Sequence, residues 1–155
     1  MVSAISEKGG SLPTIEETVA SMRKIADASW SKKKESAEEQ VSLLGELREH
    51  TEGLNILKDR EKLDSRTISV LYIVKTLLND FWRNLGGDAS FGVEEVMDDA
   101  AAFSKHLRRF IYFALVAPGK GEETSDALFE AIASYYACLS HIRKKGEQVY
   151  YIVER

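Results

Sequence analysis

The sequence has 155 residues, of which 44% are hydrophobic and 30% are charged. This length fits one domain with its own core, and the composition excludes a disordered chain. The single cysteine, Cys138, excludes an internal disulfide scaffold. A formal net charge of −4 argues against whole-surface affinity for nucleic acid or anionic membranes.

The distribution of glycine and proline predicts the domain organisation. These residues cluster near the start, around Gly86 and Gly87, and again at 118–121, and the stretches between them have apolar residues every three or four positions. We therefore predict an all-α protein, an antiparallel four- to five-helix bundle over 13–155 preceded by a flexible segment over 1–12. Residues 1–10 lack the apolar run of a secretion signal, so we expect an intracellular, by default cytoplasmic, location.

The first helix is predicted to begin at Thr14, because Thr14 and Glu17 have the spacing of a capping box. The stretch 31–36 has no apolar residue, which leaves two interpretations. A loop separates two helices there, or one long N-terminal helix runs from 15 to about 50. We favour the long helix, because the stretch consists of good helix formers without glycine or proline.

Further along, the pattern predicts a short amphipathic piece at 54–63 and helices at 65–85, 93–117 and from 124 or 125 to 145. Residues near the centre of each apolar stripe should be buried. These are Leu71, Val74, Leu78, Phe103, Leu107, Phe110, Leu128, Tyr135 and Leu139.

The stretch 93–99, Val-Glu-Glu-Val-Met-Asp-Asp, resembles the acidic signature of the four-helix coiled-coil domains of plant immune receptors. Trp82 lies at about the right distance upstream. The resemblance covers only these seven residues, and acidic residues in the first turns of a helix are equally explained by the helix dipole. The sequence therefore assigns no family.

The three histidines and Cys138 are the candidates in the sequence for catalysis or metal binding. No glutamate lies three residues before His50, His106 or His141, so the di-metal pattern of helical bundles is missing. Cys138 and His141 lie three apart, but the helical wheel puts the cysteine on the buried face and the histidine at its margin. We predict a structural thiol, no metal, no cofactor, no small-molecule substrate and no enzymatic activity.

The predicted long helix would extend beyond its neighbours, and a second copy could cover the surplus. The partner-binding residues are then predicted to be Trp30, Val41, Leu44, Leu47, Tyr150 and Tyr151. The function predicted is a protein-interaction module, either a homo-oligomer or a small subunit or adaptor of a larger assembly. The alternative is a bundle that engages nucleic acid or an anionic membrane through the basic patch Lys32, Lys33 and Lys34.

Overall fold

The computed structural model describes the backbone of residues 2–4, 6–8, 14–31, 35–86, 96–119 and 121–147. Side chains are described for 14–28, 35–56, 58, 61–84, 96–119 and 121–141. Of the segment 1–12, predicted to be flexible, residues 2–4 and 6–8 are described. Val2–Ala4 and Ser6–Lys8 form two paired strands, β1 and β2, of three residues each, too short to form a layer of the fold.

Helices form the rest of the described architecture, as the apolar pattern predicted. They are α1 (Ile15–Ser31), α2 (Ala37–Thr51), the short α3 (Ile56–Asp59), α4 (Ser65–Phe81), α5 (Met97–Ile111) and α6 (Gly121–Glu147). A 3₁₀ turn, Arg60–Lys62, follows α3, and π-helical turns extend α4 over Trp82–Gly86 and α5 over Tyr112–Val116.

The long N-terminal helix is corrected by the structure, which shows two helices. The predicted capping box of α1 is confirmed, since the Glu17 amide donates to Thr14 Oγ1 at 3.1 Å and the Thr14 amide to Glu17 Oε1 at 2.9 Å. A second box begins α2: Ser36 is extended and exchanges the same pair of bonds with Glu39. Ser-x-x-Glu was present in the sequence, and it starts a new helix even among good helix formers.

The two N-terminal helices are in contact, and α4 holds the end of the second. Thr18 Oγ1 donates to the His50 carbonyl at 3.4 Å, joining the start of α1 to the end of α2. Lys75 Nζ of α4 donates to the carbonyls of Thr51 and Glu52 at 3.0 and 3.1 Å. Carbonyls at a helix end have no partner within the helix, so this lysine satisfies groups that α2 leaves open.

The boundaries of α4 and α6 follow local chemistry. Asp64 caps α4 by accepting from the Thr67 amide at 2.8 Å. The turn before α6 contains Gly119 with φ of 104°, a conformation that glycine adopts without a Cβ clash. The last helix begins two residues later at Gly121, three or four residues earlier than the pattern predicted.

The core is centred on aromatic rings from three helices. Phe81 of α4 and Phe103 of α5 stack with centroids 5.0 Å apart. The Tyr135 ring of α6 lies 6.2 Å from Phe81 and 5.8 Å from Phe103. Its hydroxyl accepts from Asn84 Nδ2 at 2.8 Å, which satisfies a polar group that burial would otherwise leave without a partner.

Most of the predicted core is confirmed, and the phase of the last helix is corrected. Leu71, Val74, Leu78, Phe103, Leu107, Phe110 and Tyr135 are buried. Leu128 and Leu139 are only partly buried. The side chains of α6 that are fully buried against the bundle are the small ones, Ala127, Ala131 and Cys138.

The helices differ in how completely they are surrounded. Helix α5 contacts α1, α2 and α6, and it contributes buried side chains along its whole length. Helix α6 packs mainly along α5, with smaller contacts to the two π-helical turns. Helix α6 is therefore an edge helix, and its outer face is not covered by any other described helix.

Candidate interaction surface

The partner-binding residues predicted from the sequence do not form one surface in the described part of the chain. Leu44 and Leu47 are fully buried within the single chain, and Val41 is half-buried against the same core. A second copy is therefore not needed to cover them, which corrects the reason for placing an interface there. The side chain of Trp30, the tail with Tyr150 and Tyr151, and the basic patch at 32–34 lie outside the described residues.

Two aromatic side chains are exposed on the outer face of α6. Phe129 is 72% exposed and Tyr136 is 62% exposed. They are seven residues apart, which is two helical turns or about 10 Å, so both lie on the same face. Ala133, between them, is also exposed. We call Phe129, Ala133 and Tyr136 the α6 aromatic face.

The α6 aromatic face lies opposite the alanine side of the helix. Ala127 and Ala131 pack against α5 with no exposed surface, and Cys138 continues that buried line. Small side chains let two helices approach closely, so the inner face holds α6 firmly while contributing little side-chain area. Tyr135 also lies on this inner face, whereas Phe129 and Tyr136 point outward.

Part of this surface could be predicted from the sequence. The doublet Tyr135-Tyr136 must present one ring away from the core, and Tyr136 is the exposed member. The apolar pattern places Leu128 on the core stripe and gives no indication that the adjacent Phe129 is exposed. One further large apolar side chain exceeds half exposure among those described: Tyr72, on the outer face of α4, at 60%.

The thiol of Cys138 is buried, as predicted. Burial, with the nearby Asp99 carboxylate, raises its pKa to about 12. The thiol is therefore neutral at physiological pH and a weak nucleophile. His141 is exposed, and its Nδ1 lies 2.6 Å from Asp99 Oδ2 of α5. This pair joins the end of α6 to the start of α5 at the surface.

A buried polar cluster joins α5 to the segment before α2. Arg108 is 3% exposed, and its Nη1 donates to both Glu35 oxygens at 3.1 and 3.3 Å. Its Nη2 donates to Gln40 Oε1 at 3.1 Å, and its Nε donates to Ser104 Oγ at 3.1 Å. Ser104 Oγ in turn donates to the Gln40 carbonyl at 2.5 Å. This set, the Arg108 cluster, consists of mutually satisfied groups.

The Arg108 cluster is structural in its chemistry. Burial lowers the pKa of Arg108, while the Glu35 carboxylate opposes that shift, so the guanidinium stays charged at neutral pH. A charge removed from water needs such partners, and the donors of this arginine are directed at protein acceptors rather than at an open cleft. The cluster fixes the residues that precede α2 onto α5.

His106 has a neutral ring in the folded chain. Arg109 Nη1 donates to His106 Nδ1 at 2.8 Å, which requires an unprotonated acceptor nitrogen. Burial, and then the Arg109 charge, lowers the pKa of this histidine below 6.5. The ring is half-buried and held by a cation, which is the arrangement of a packed histidine.

Comparisons with known proteins find no match: none with a protein family, none with a curated protein and none with a solved structure. Within the described residues, no group of three or more histidine, cysteine or acidic side chains is arranged to hold a metal ion. No helix of the described chain combines the length and apolarity needed to cross a membrane. The α6 aromatic face is therefore the candidate site that the geometry offers.

Proposed function

We propose that this chain is a non-enzymatic protein-interaction module that binds its partner through the α6 aromatic face. The observation that carries the proposal is the exposure of Phe129 and Tyr136 on one face of a helix whose other face is fixed to α5. Aromatic side chains supply much of the binding free energy at protein interfaces when they are covered. Placed on a rigid helix, they lose little further conformational freedom on binding.

The proposal includes an antiparallel order of neighbouring helices, supported by contacts at the helix ends. The bond from Thr18 to His50 joins the start of α1 to the end of α2. The pair of His141 and Asp99 joins the end of α6 to the start of α5. Contacts between the start of one helix and the end of its neighbour are expected when the two helices run in opposite directions.

The non-enzymatic part of the proposal is supported by the state of the reactive groups. The Cys138 thiol is buried with its pKa near 12, and His106 accepts a hydrogen bond from a neighbouring arginine. A buried neutral thiol is a weak nucleophile, and a ring nitrogen that already accepts a hydrogen bond is less free to act as a base. The Arg108 cluster has its charges engaged inside the chain.

Site-specific photo-cross-linking tests the proposal. A benzoylphenylalanine residue replaces Phe129 in one variant and Tyr72 in a control variant, since both side chains are mostly exposed and lie on different helices. In extracts of the native source, irradiation should give a protein adduct from position 129 and none from position 72. Equal cross-linking from both positions, or none from 129, would contradict the proposal.

A further inference from the structure

We propose that the partner is a second copy of this chain, bound with the two α6 helices antiparallel and crossing at Ala133. This inference rests on the proposed function and names the partner of the same face. Two observations carry it: the spacing of the exposed side chains about Ala133, and the distribution of charge along α6.

The α6 aromatic face is self-complementary in the antiparallel orientation. When two antiparallel copies of a helix cross at residue 133, position 133 − k of one copy lies at the level of position 133 + k of the other. Phe129 therefore meets position 137 and the adjacent Tyr136 of the second copy, so each phenylalanine ring contacts a tyrosine. The Ala133 methyl groups at the crossing allow close approach of the two helices. A twofold axis makes both halves of this contact identical.

The charge along α6 favours the antiparallel orientation over the parallel one. The helix carries Glu122, Glu123, Asp126 and Glu130 in its first three turns, and its sequence is Arg-Lys-Lys at 143–145 near the end. Antiparallel pairing about residue 133 sets 122 and 123 opposite 144 and 143. A parallel pair would set acidic residues against acidic residues and basic against basic, which is unfavourable.

The exposed polar residues of the same face are compatible with this arrangement. Asp126 lies seven positions before Ala133 and meets Ser140, which is small and exposed. Glu130 lies three positions before the crossing, at the level of Tyr136 and Ala137 of the second copy, neither of which is acidic. The arrangement thus places no acidic side chain of the helix opposite another one.

Sedimentation equilibrium from 1 to 100 µM tests whether the dimer forms. The mass should approach twice 17.4 kDa, that is 34.8 kDa, as the concentration rises. Replacing both exposed rings, Phe129→Ser with Tyr136→Ser, should raise the dissociation constant at least tenfold. The control Tyr72→Ser removes an equally exposed ring from another helix and should leave the dissociation constant unchanged.

Disulfide trapping tests the orientation. Chains with Asp126→Cys and chains with Ser140→Cys, mixed and mildly oxidised, should form a mixed disulfide dimer in the antiparallel arrangement. A parallel arrangement would instead link Asp126→Cys chains to one another, and that result would overturn the proposed pairing. Native Cys138 is buried and should contribute little to either product.

The outcomes separate this inference from the proposed function. A chain that stays at 17.4 kDa up to 100 µM is not a dimer, and the inference fails. The cross-linking at position 129 then still decides whether a different protein binds the face. An adduct of twice the chain mass supports the second copy, whereas an adduct of any other mass supports the proposed function and overturns the dimer.

Discussion

Helices α5 and α6 lie against each other but use their aromatic side chains in opposite ways. On α5, Phe103 and Phe110 are buried among the other helices, whereas on α6 Phe129 is 72% exposed. The difference is in the number of neighbours. A helix that is surrounded must place its large groups inward, while an edge helix can pack with alanines and keep large groups for another surface. The same residue type is therefore part of the core on one helix and exposed to solvent on the other.

The sharpest test of this contrast is truncation of one phenylalanine on each helix. Phe103→Ala removes a ring that stacks on Phe81, and we expect it to lower the free energy of unfolding by about 3 to 5 kcal/mol. Phe129→Ala should change it by less than about 0.5 kcal/mol, measured at a concentration where the chain is monomeric. Urea denaturation followed by circular dichroism measures both. A similar loss in the two variants would show that Phe129 is part of the core.

A second test compares a buried ion pair on α5 with an exposed one on α4. Arg108→Met removes the centre of the Arg108 cluster and leaves Glu35 without its partner, and we expect a loss of about 3 kcal/mol. Arg83→Met breaks the exposed pair with Asp80 and should cost less than about 1 kcal/mol. Adding Glu35→Met to Arg108→Met should recover part of the loss, because the unpaired carboxylate is then gone. No recovery in the double variant would mean that the arginine acts mainly through its packing.

A third test concerns the break between α1 and α2, which brings α2 alongside α5. Ser36→Ala removes one half of the capping box and should destabilise the chain by about 1 kcal/mol. Ser42→Ala, an exposed position inside the same helix, should be neutral or slightly stabilising because alanine is the better helix former. If both substitutions changed the free energy of unfolding in the same direction, the capping box would not be what starts α2.

The smallest expected effect is a pH dependence of the free energy of unfolding, caused by His106 of α5. The folded pKa of His106 is lowered, so the unfolded chain binds more protons near pH 6, and stability should fall as the pH drops below about 6.5. His106→Gln should reduce this fall. Titration by NMR should place the His106 pKa below its ordinary value, and Arg109→Met should raise it, since the Arg109 charge is one of its causes. An unchanged titration in that variant would exclude the Arg109 charge as a cause of the shift.

The sequence predicted α4, α5 and the buried residues of α5 correctly, because their apolar stripes are wide and regular. The boundary at Ser36 could also be predicted, since Ser36 and Glu39 have the same spacing as Thr14 and Glu17. Helix propensity alone favours one long helix there, and the cap overrides it. For α6, the hydrophobic wheel put Tyr135 and Cys138 correctly on the buried face, but it centred that face too near Leu128 and Leu139. Leu128 and Leu139 outweigh Ala127 and Ala131 on any hydrophobicity scale, yet the close approach of α5 selects the small residues.

The exposure of Phe129 could not be predicted for a related reason. Whether a large apolar residue on a helix is covered depends on how many other helices reach that side, which is a property of the whole packing. The sequence could place Tyr136 outward only because its neighbour Tyr135 had to point inward. Phe129 has no adjacent aromatic residue from which its outward direction could be predicted in the same way.

The alanine side of α6 has a consequence for how this chain can change over evolutionary time. A larger residue at Ala127 or Ala131 would clash with α5 and displace α6, so those positions tolerate few substitutions. Positions 129, 133 and 136 are exposed and have no such packing constraint, so substitutions there should leave the fold intact. If the α6 aromatic face binds a partner as proposed, binding preference can change at these three positions while the fold stays under separate selection at Ala127 and Ala131.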